Sequence, residues 1–363
     1  MYKIYIYICC VVFLFFSCNE GDTYRIKVQL SNLKSQDVYA VFESVNSKSV
    51  DTLSVGEKGE FVVARKQDNF RTVTFYYENF TRWITVYLEK PQRIVVTGDA
   101  YFPQLVQIKG GRINELLSGF RKETSSLQKE FFTLLNGNDT IQEKLNVPHR
   151  LDRLANINHA LCLQAEEFIE NNPSEKASAI LIRDFFLNPD NPIQIDDLID
   201  ILDPQLADFY VVRELKAYAE KAKRTIVGSK APNFNVRNIY GNTFDGDSFS
   251  DHYFLLAFTS MWNDECHTKE LKLDEIISLF PKDSLSVMIV SLDEDPRELR
   301  AILREDPIKW NLVTDSVGQA IELLDLYNVN VLPRCFLIDK EGYIILKTES
   351  GVELRHELEQ LFQ

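Results

Sequence analysis

Cys162, Cys266 and Cys335 are the residues of this chain best suited to covalent chemistry, because a thiolate is a nucleophile and a disulfide former. Three further cysteines, Cys9, Cys10 and Cys18, belong to the amino-terminal run described below, so an odd number with no local pair remains for the folded part. That is no disulfide framework. Cys162 stands among Ala160, Leu161 and Leu163, where a small buried hydrophobe is the favoured reading. Cys266 stands three residues after Asn263, and Asn is a strong helix N-cap whose side-chain oxygen accepts from a backbone amide three residues on. In the first turn of such a helix the backbone dipole favours a thiolate, whereas Asp264 and Glu265 favour the neutral thiol. These effects oppose each other. His267 follows Cys266 directly, but adjacent side chains on a helix point a quarter turn or more apart, a poor arrangement for proton transfer. His159 has no second metal-type residue at helical spacing around it, and no metal or organic cofactor is indicated anywhere in the chain.

The elements that must hold these residues fall into distinct stretches of the 363-residue chain. Lys3 followed by the apolar run Ile4 to Phe16 is too short to span a bilayer and reads as a secretory signal peptide over residues 1–17. Phe15, Phe16, Ser17, Cys18 resembles the lipobox of bacterial lipoproteins, which implies lipidation at Cys18 and a short tether over residues 18–22, although Phe15 stands where that pattern prefers Leu. One acylated terminus inserts chains into a membrane and tethers a soluble body to it. A net charge of -14 repels polyanions and excludes nucleic-acid binding.

Tyr24, Ile26, Val28 and Leu30 alternate with Arg25, Lys27 and Gln29, the period of a half-buried strand. Strand-like runs follow at Val38 to Phe42, Phe61 to Ala64, Thr72 to Tyr77, Trp83 to Leu88 and Ile94 to Thr97, divided by turn residues such as Gly56, Gly59, Asn79 and Pro91. Strands without intervening helices predict a small antiparallel sandwich or barrel over residues 23–110. After Gly111 the apolar spacing becomes three or four, with prolines at 148, 173, 189, 192 and 204, so several short helices are expected over residues 111–227. From 228 to 363 strand-like and helix-like segments alternate, which predicts a central sheet covered by helices on both faces.

Several ordered motifs in this last part carry a family resemblance. Gly228 to Phe234, the strand ending at Phe258, the turn Met261, Trp262, Asn263, Asp264, Glu265, Cys266, then Val290 to Asp293, and Leu332, Pro333 before Phe336 to Asp339 are similar to thioredoxin-like envelope proteins of the TlpA and ResA type, related to the AhpC/TSA proteins. Trp83 to Leu88 and Val95 to Asp99 resemble the amino-terminal β domain of unknown function that precedes such domains in many Gram-negative lipoproteins. The resemblance implies a multi-domain α+β protein: an amino-terminal antiparallel β sandwich or barrel, a helical middle, and a carboxy-terminal α/β thioredoxin-like domain. It also implies that Pro333 is the cis-proline bordering the active site, and that a tryptophan should precede two cysteines separated by two residues. Trp262 is kept, Cys266 occupies the second cysteine position, and Asn263 occupies the first.

That departure governs the functional expectation. Thiol exchange needs one thiolate to attack and a second to release the mixed disulfide, and an amide does neither. In the family the second cysteine is the more buried, which favours an inert or weakly reactive Cys266 over a reactive one. Cys335 runs beside the active-site helix in the family fold, so a replacement pair with Cys266 is one reading, and two unconnected buried thiols the favoured one. The peroxiredoxin side of the same fold offers another, but its Thr and Pro positions are Asn263 and Thr259 here. Two functions therefore stand: a lipid-anchored envelope protein handling thiols and disulfides through Cys266, alone or with Cys335, and a non-catalytic module holding an envelope protein or peptide. The location expected for either is the periplasmic or outer-surface side of the envelope.

Overall fold

The computed structural model describes residues 22–66, 69–136, 147–246, 251–260, 284–293, 311–314 and 319–362. Residues 1–21, with Cys18, lie outside the described residues, as do Trp262, Asn263 and Cys266. The chain divides into two compact units, Met1–Leu181 and Ile182–Gln363. Their division falls within the helix Lys176–Phe186, so the helical middle is shared between them.

Among the described residues the first unit holds eight strands: β1 (Thr23–Ser31), β2 (Asp37–Glu43), β3 (Lys48–Ser54), β4 (Glu60–Lys66), β5 (Thr72–Tyr77), β6 (Arg82–Tyr87), β7 (Arg93–Asp99) and β8 (Gln107–Lys109). They form two sheets, ordered β4-β1-β7-β8 and β3-β2-β5-β6. Period-two patterning turns Ile26, Val28 and Leu30 of the first sheet and Val38, Ala40 and Phe42 of the second into one shared core, so the sheets form a sandwich. One pairing departs from the antiparallel expectation, because β1 and β7 are parallel, with Ile26 beside Ile94 and Val28 beside Val96. The five strands between them supply the long connection that a parallel pair requires. β3 carried no strand signal in the sequence because it is an edge strand with little buried surface. Gly59 is a backbone requirement: its φ is +68° and a Cβ there would sit 2.1 Å from the Leu30 carbonyl oxygen.

Helices Arg112–Glu123, Ser125–Asn136 and Val147–Asn171 follow within this unit. Two polar residues of the first fasten it to strand backbone. Asn114 accepts from the Tyr87 amide at 2.9 Å and donates to the Tyr87 carbonyl at 2.8 Å, and Ser118 accepts from the Ile108 amide at 2.8 Å. Each bond satisfies a buried group that would otherwise cost about 1–3 kcal/mol.

In the second unit, helices Ile193–Ile201 and Tyr210–Lys223 precede a small hairpin of β9 (Asn235–Arg237) and β10 (Thr243–Asp245). The main sheet contains β11 (Tyr253–Thr259), β12 (Leu285–Ser291), β13 (Asn311–Thr314), β14 (Arg334–Ile338) and β15 (Ile344–Thr348), ordered β13-β12-β11-β14-β15. β11 is parallel to β12, which is parallel to β13, and β14 is antiparallel to β11 and β15. β11 and β14 are central and covered on both sides, which is why Phe254 to Phe258 and Cys335 to Ile338 read as continuous apolar runs. Helix Gln319–Leu326 packs Ala320 and Leu323 with Phe258 and Phe336 on one face. Helix Gly351–Leu361 packs Leu354 and Leu358 with Ala257, Cys335 and Leu337 on the other, and Ser350 caps its start by accepting from the Glu353 amide.

Candidate functional site

The carboxyl ends of β11, β12 and β13 lie along one edge of the sheet, the edge where open α/β sheets bind their ligands. Two buried serines and one carboxylate tie this edge together. Ser260 donates to Asp293 at 3.2 Å, Ser291 donates to the other carboxylate oxygen at 2.6 Å, and the Asp293 amide donates back to Ser291 at 3.2 Å. The bonds hold Ser260, the residue before Met261, against the end of β12. Ser260 went unnoticed in the sequence because a lone serine after an apolar strand carries no pattern.

β14 brings the proline to the same edge. Phe258 pairs with Arg334 and Ala257 with Cys335, so Pro333 directly precedes the strand that pairs with the end of β11. The Leu332–Pro333 peptide bond is cis. Trp262, Asn263 and Cys266 continue the chain just past Thr259 but lie outside the described residues, and with them any separation of Cys266 from Cys335. Cys335 itself is buried, its side chain on the face covered by Leu354 and Leu358. That burial keeps its thiol from direct contact with a partner's disulfide. Cys162 is partly buried in the helix Val147–Asn171 of the other unit, and burial pushes its thiol up from the usual value. His159 is exposed on that helix, and no cluster of metal-type residues occurs among the described residues.

An ion cluster directly follows Pro333, and nothing in the linear pattern announced it, since its members are spread over some 160 residues of sequence. The Arg334 side chain is only 4% exposed and donates to Glu349 at 2.8 Å, with Asp190 at 3.5 Å. The Lys347 side chain, equally enclosed, lies 2.9 Å from the same Asp190 oxygen and donates to the Pro189 carbonyl at 2.9 Å. Asp190, in the loop before helix Ile193–Ile201, thus bridges two buried cations on adjacent strands. Lys221 and Asp325 form a further ion pair, between helices Tyr210–Lys223 and Gln319–Leu326.

Burial pushes the Lys347 ammonium below the ordinary lysine value of 10.5, partly offset by Asp190 and reinforced by Arg334. The unfolded chain therefore binds more protons than the folded one as pH approaches that value, so stability rises with pH just below 10.5. Lys347→Met is expected to be neutral or stabilising at neutral pH, because Asp190 keeps Arg334 as its partner, and to lose that alkaline gain. Urea midpoints of both proteins at neutral and alkaline pH check this.

With the sheet order, the cis-proline and the tied strand ends in view, the comparison with known sequences has a definite place to fall. Residues 227–347 match the AhpC/TSA family. The carboxy-terminal part is thus a thioredoxin-like α/β domain, and residues 24–117 match a domain of unknown function, DUF4369. The thiol-disulfide oxidoreductase ResA of Bacillus cereus is 24% identical over 145 residues, 40% of this chain and 82% of that protein. A thioredoxin-like protein from Bacteroides caccae is 22% identical, covering 64% of this chain and 93% of its own with a TM-score of 0.40. A thiol-disulfide oxidoreductase from Bacteroides fragilis is 24% identical, covering 37% of this chain and 100% of its own with a TM-score of 0.33.

Proposed function

We propose that this chain is a lipid-anchored envelope protein that engages partner disulfides through the single thiol Cys266, with Asn263 in the place of the first cysteine of the pair. The observation supporting this reading is the Ser260–Asp293–Ser291 tie at the carboxyl end of β11, the strand that leads directly into Trp262 to Cys266. The ResA relatives, thiol-disulfide oxidoreductases by name, support a thiol role. The step is one exchange: the Cys266 thiolate attacks one sulfur of a partner's disulfide, that S–S bond breaks, a mixed disulfide forms, and the other half leaves as a thiolate. Asn263 supplies no second thiol to release the adduct, and the enclosed Cys335 is not freely placed to do so. Lipidation at Cys18 would confine the reaction to the membrane surface.

Asn263 itself favours a second reading, a thioredoxin-fold module that binds an envelope protein or peptide without chemistry. Acid-quenched trapping of mixed disulfides from cells distinguishes the two. The expected result is adducts in the wild type that vanish in Cys266→Ser and persist in Cys335→Ser. Undiminished partner capture by Cys266→Ser, through non-covalent contact, would establish the binding module instead.

A further inference from the structure

The outer face of the sheet β4-β1-β7-β8 is basic at one end. Period-two alternation turns Arg25 and Lys27 of β1, Lys66 of β4, Arg93 of β7 and Lys109 of β8 away from the core that holds Ile26, Val63, Ile94 and Ile108. All five cations are exposed. Register gathers them: Thr23 lies beside Lys66, Arg25 beside Arg93, and Lys27 beside Val95, which itself lies beside Lys109. Val62, 55% exposed, and Ala64 stand between them on β4.

The carboxylates near this face sit at its margins. Glu60 and Asp99 pair with Gln29 and Ser31, toward the opposite end of β1. Beyond β8, the Glu89 and Glu115 carboxylates accept from the Ile113 and Gly110 amides. Asp22 is the one acid at the basic end, directly before Thr23. Strands about 4.8 Å apart and alternate residues about 6.6 Å apart put the five cations in a patch roughly 15 Å on a side. At a Debye length of about 8 Å, a surface laid on the patch feels these charges and is screened from most of those that give the chain its -14.

The chain outside the described residues meets the sheet at this same end. Cys18 precedes Thr23 by five residues, which reach at most about 17 Å when fully extended. Acyl chains on Cys18 would therefore hold the basic end of β1 within that distance of a bilayer. Cations interspersed with exposed aliphatic side chains are the composition of a surface that rests in the headgroup layer. We propose that this face docks on the anchoring membrane, with Arg25, Lys27, Lys66, Arg93 and Lys109 against anionic phospholipid headgroups. The proposal rests on the lipid anchor at Cys18 and is independent of the thiol chemistry.

Acetylation footprinting of lysines, read by peptide mass spectrometry, tests this on the full chain reconstituted into vesicles. One set is equimolar phosphatidylcholine and phosphatidylglycerol, the other phosphatidylcholine alone. Lys27, Lys66 and Lys109 are expected to react about tenfold more slowly on the anionic vesicles, and Lys48 of the other sheet equally fast on both. Lys27→Gln should cut the protection at Lys109 to about threefold, because each basic residue near an anionic surface raises its occupancy about fivefold. High salt should abolish the protection. Equal labelling on both vesicle types overturns the proposal. So does protection already present in detergent before vesicles are added, which would place a copurified protein or a second copy on the face. The mass of the amino-terminal peptide reads the anchor separately: acyl chains on Cys18 with unprotected lysines leave the anchor and remove the docking face, and charge-dependent protection without acyl chains does the reverse.

Discussion

Asn263→Cys is expected to raise the rate of protein-disulfide reduction by at least about 100-fold over the wild type, measured as insulin reduction under excess reductant. The reasoning is that turnover needs both an attacking thiolate and a second thiol to release the partner, and loss of one member of such a unit costs orders of magnitude. Ser260 is held by Asp293, so the strand that leads to residue 263 is fixed at its end. Asn263→Ser, which supplies no sulfur, should leave the rate unchanged. A gain in Asn263→Cys that survives Cys266→Ser would show that the new cysteine acts alone and that Cys266 has no part in the site.

Asp190→Ala should destabilise the second unit by about 2–3 kcal/mol, read from the urea midpoint of its transition. Removing one partner of a fully buried ion pair costs about 3–5 kcal/mol because the other charge stays behind unpaired. Here the orphaned charges are enclosed, with Arg334 and Lys347 each 4% exposed, while Asp190 is 52% exposed, which lowers the figure. Arg334 retains Glu349, so Lys347 bears most of the loss. Adding Lys347→Met to Asp190→Ala should therefore recover much of the stability, since the apolar stem fills the same space without a buried ammonium. Purely additive losses in the double variant would show that the loop at Asp190 acts through packing rather than charge. The cluster begins at the residue after Pro333, so it anchors β14 at the point where the site is built.

Much of this architecture is written in short-range pattern. Alternation from Tyr24 to Leu30 places one face of β1 in the core, and unbroken apolar runs at Phe254 to Phe258 and Cys335 to Ile338 mark strands covered on both sides. Pairing direction is different, because the parallel β1–β7 contact depends on strands some 70 residues apart and leaves no local trace. β3 was invisible since an edge strand need bury little. Within the site, Pro333 was legible through the residues around it, whereas Ser260 and Asp293 meet only when β11 and β12 lie side by side. The same holds for Asp190, whose role depends on a loop reaching strands that come about 150 residues later.

The most direct measurement of the single-thiol site is the intact mass of the purified full chain after brief exposure to a small disulfide-bonded peptide. One peptide half should remain covalently attached per chain, at Cys266, and be missing in Cys266→Ser. A chain that carries no adduct, or that returns free of peptide and lighter by the two hydrogens of a new internal disulfide, would contradict the account.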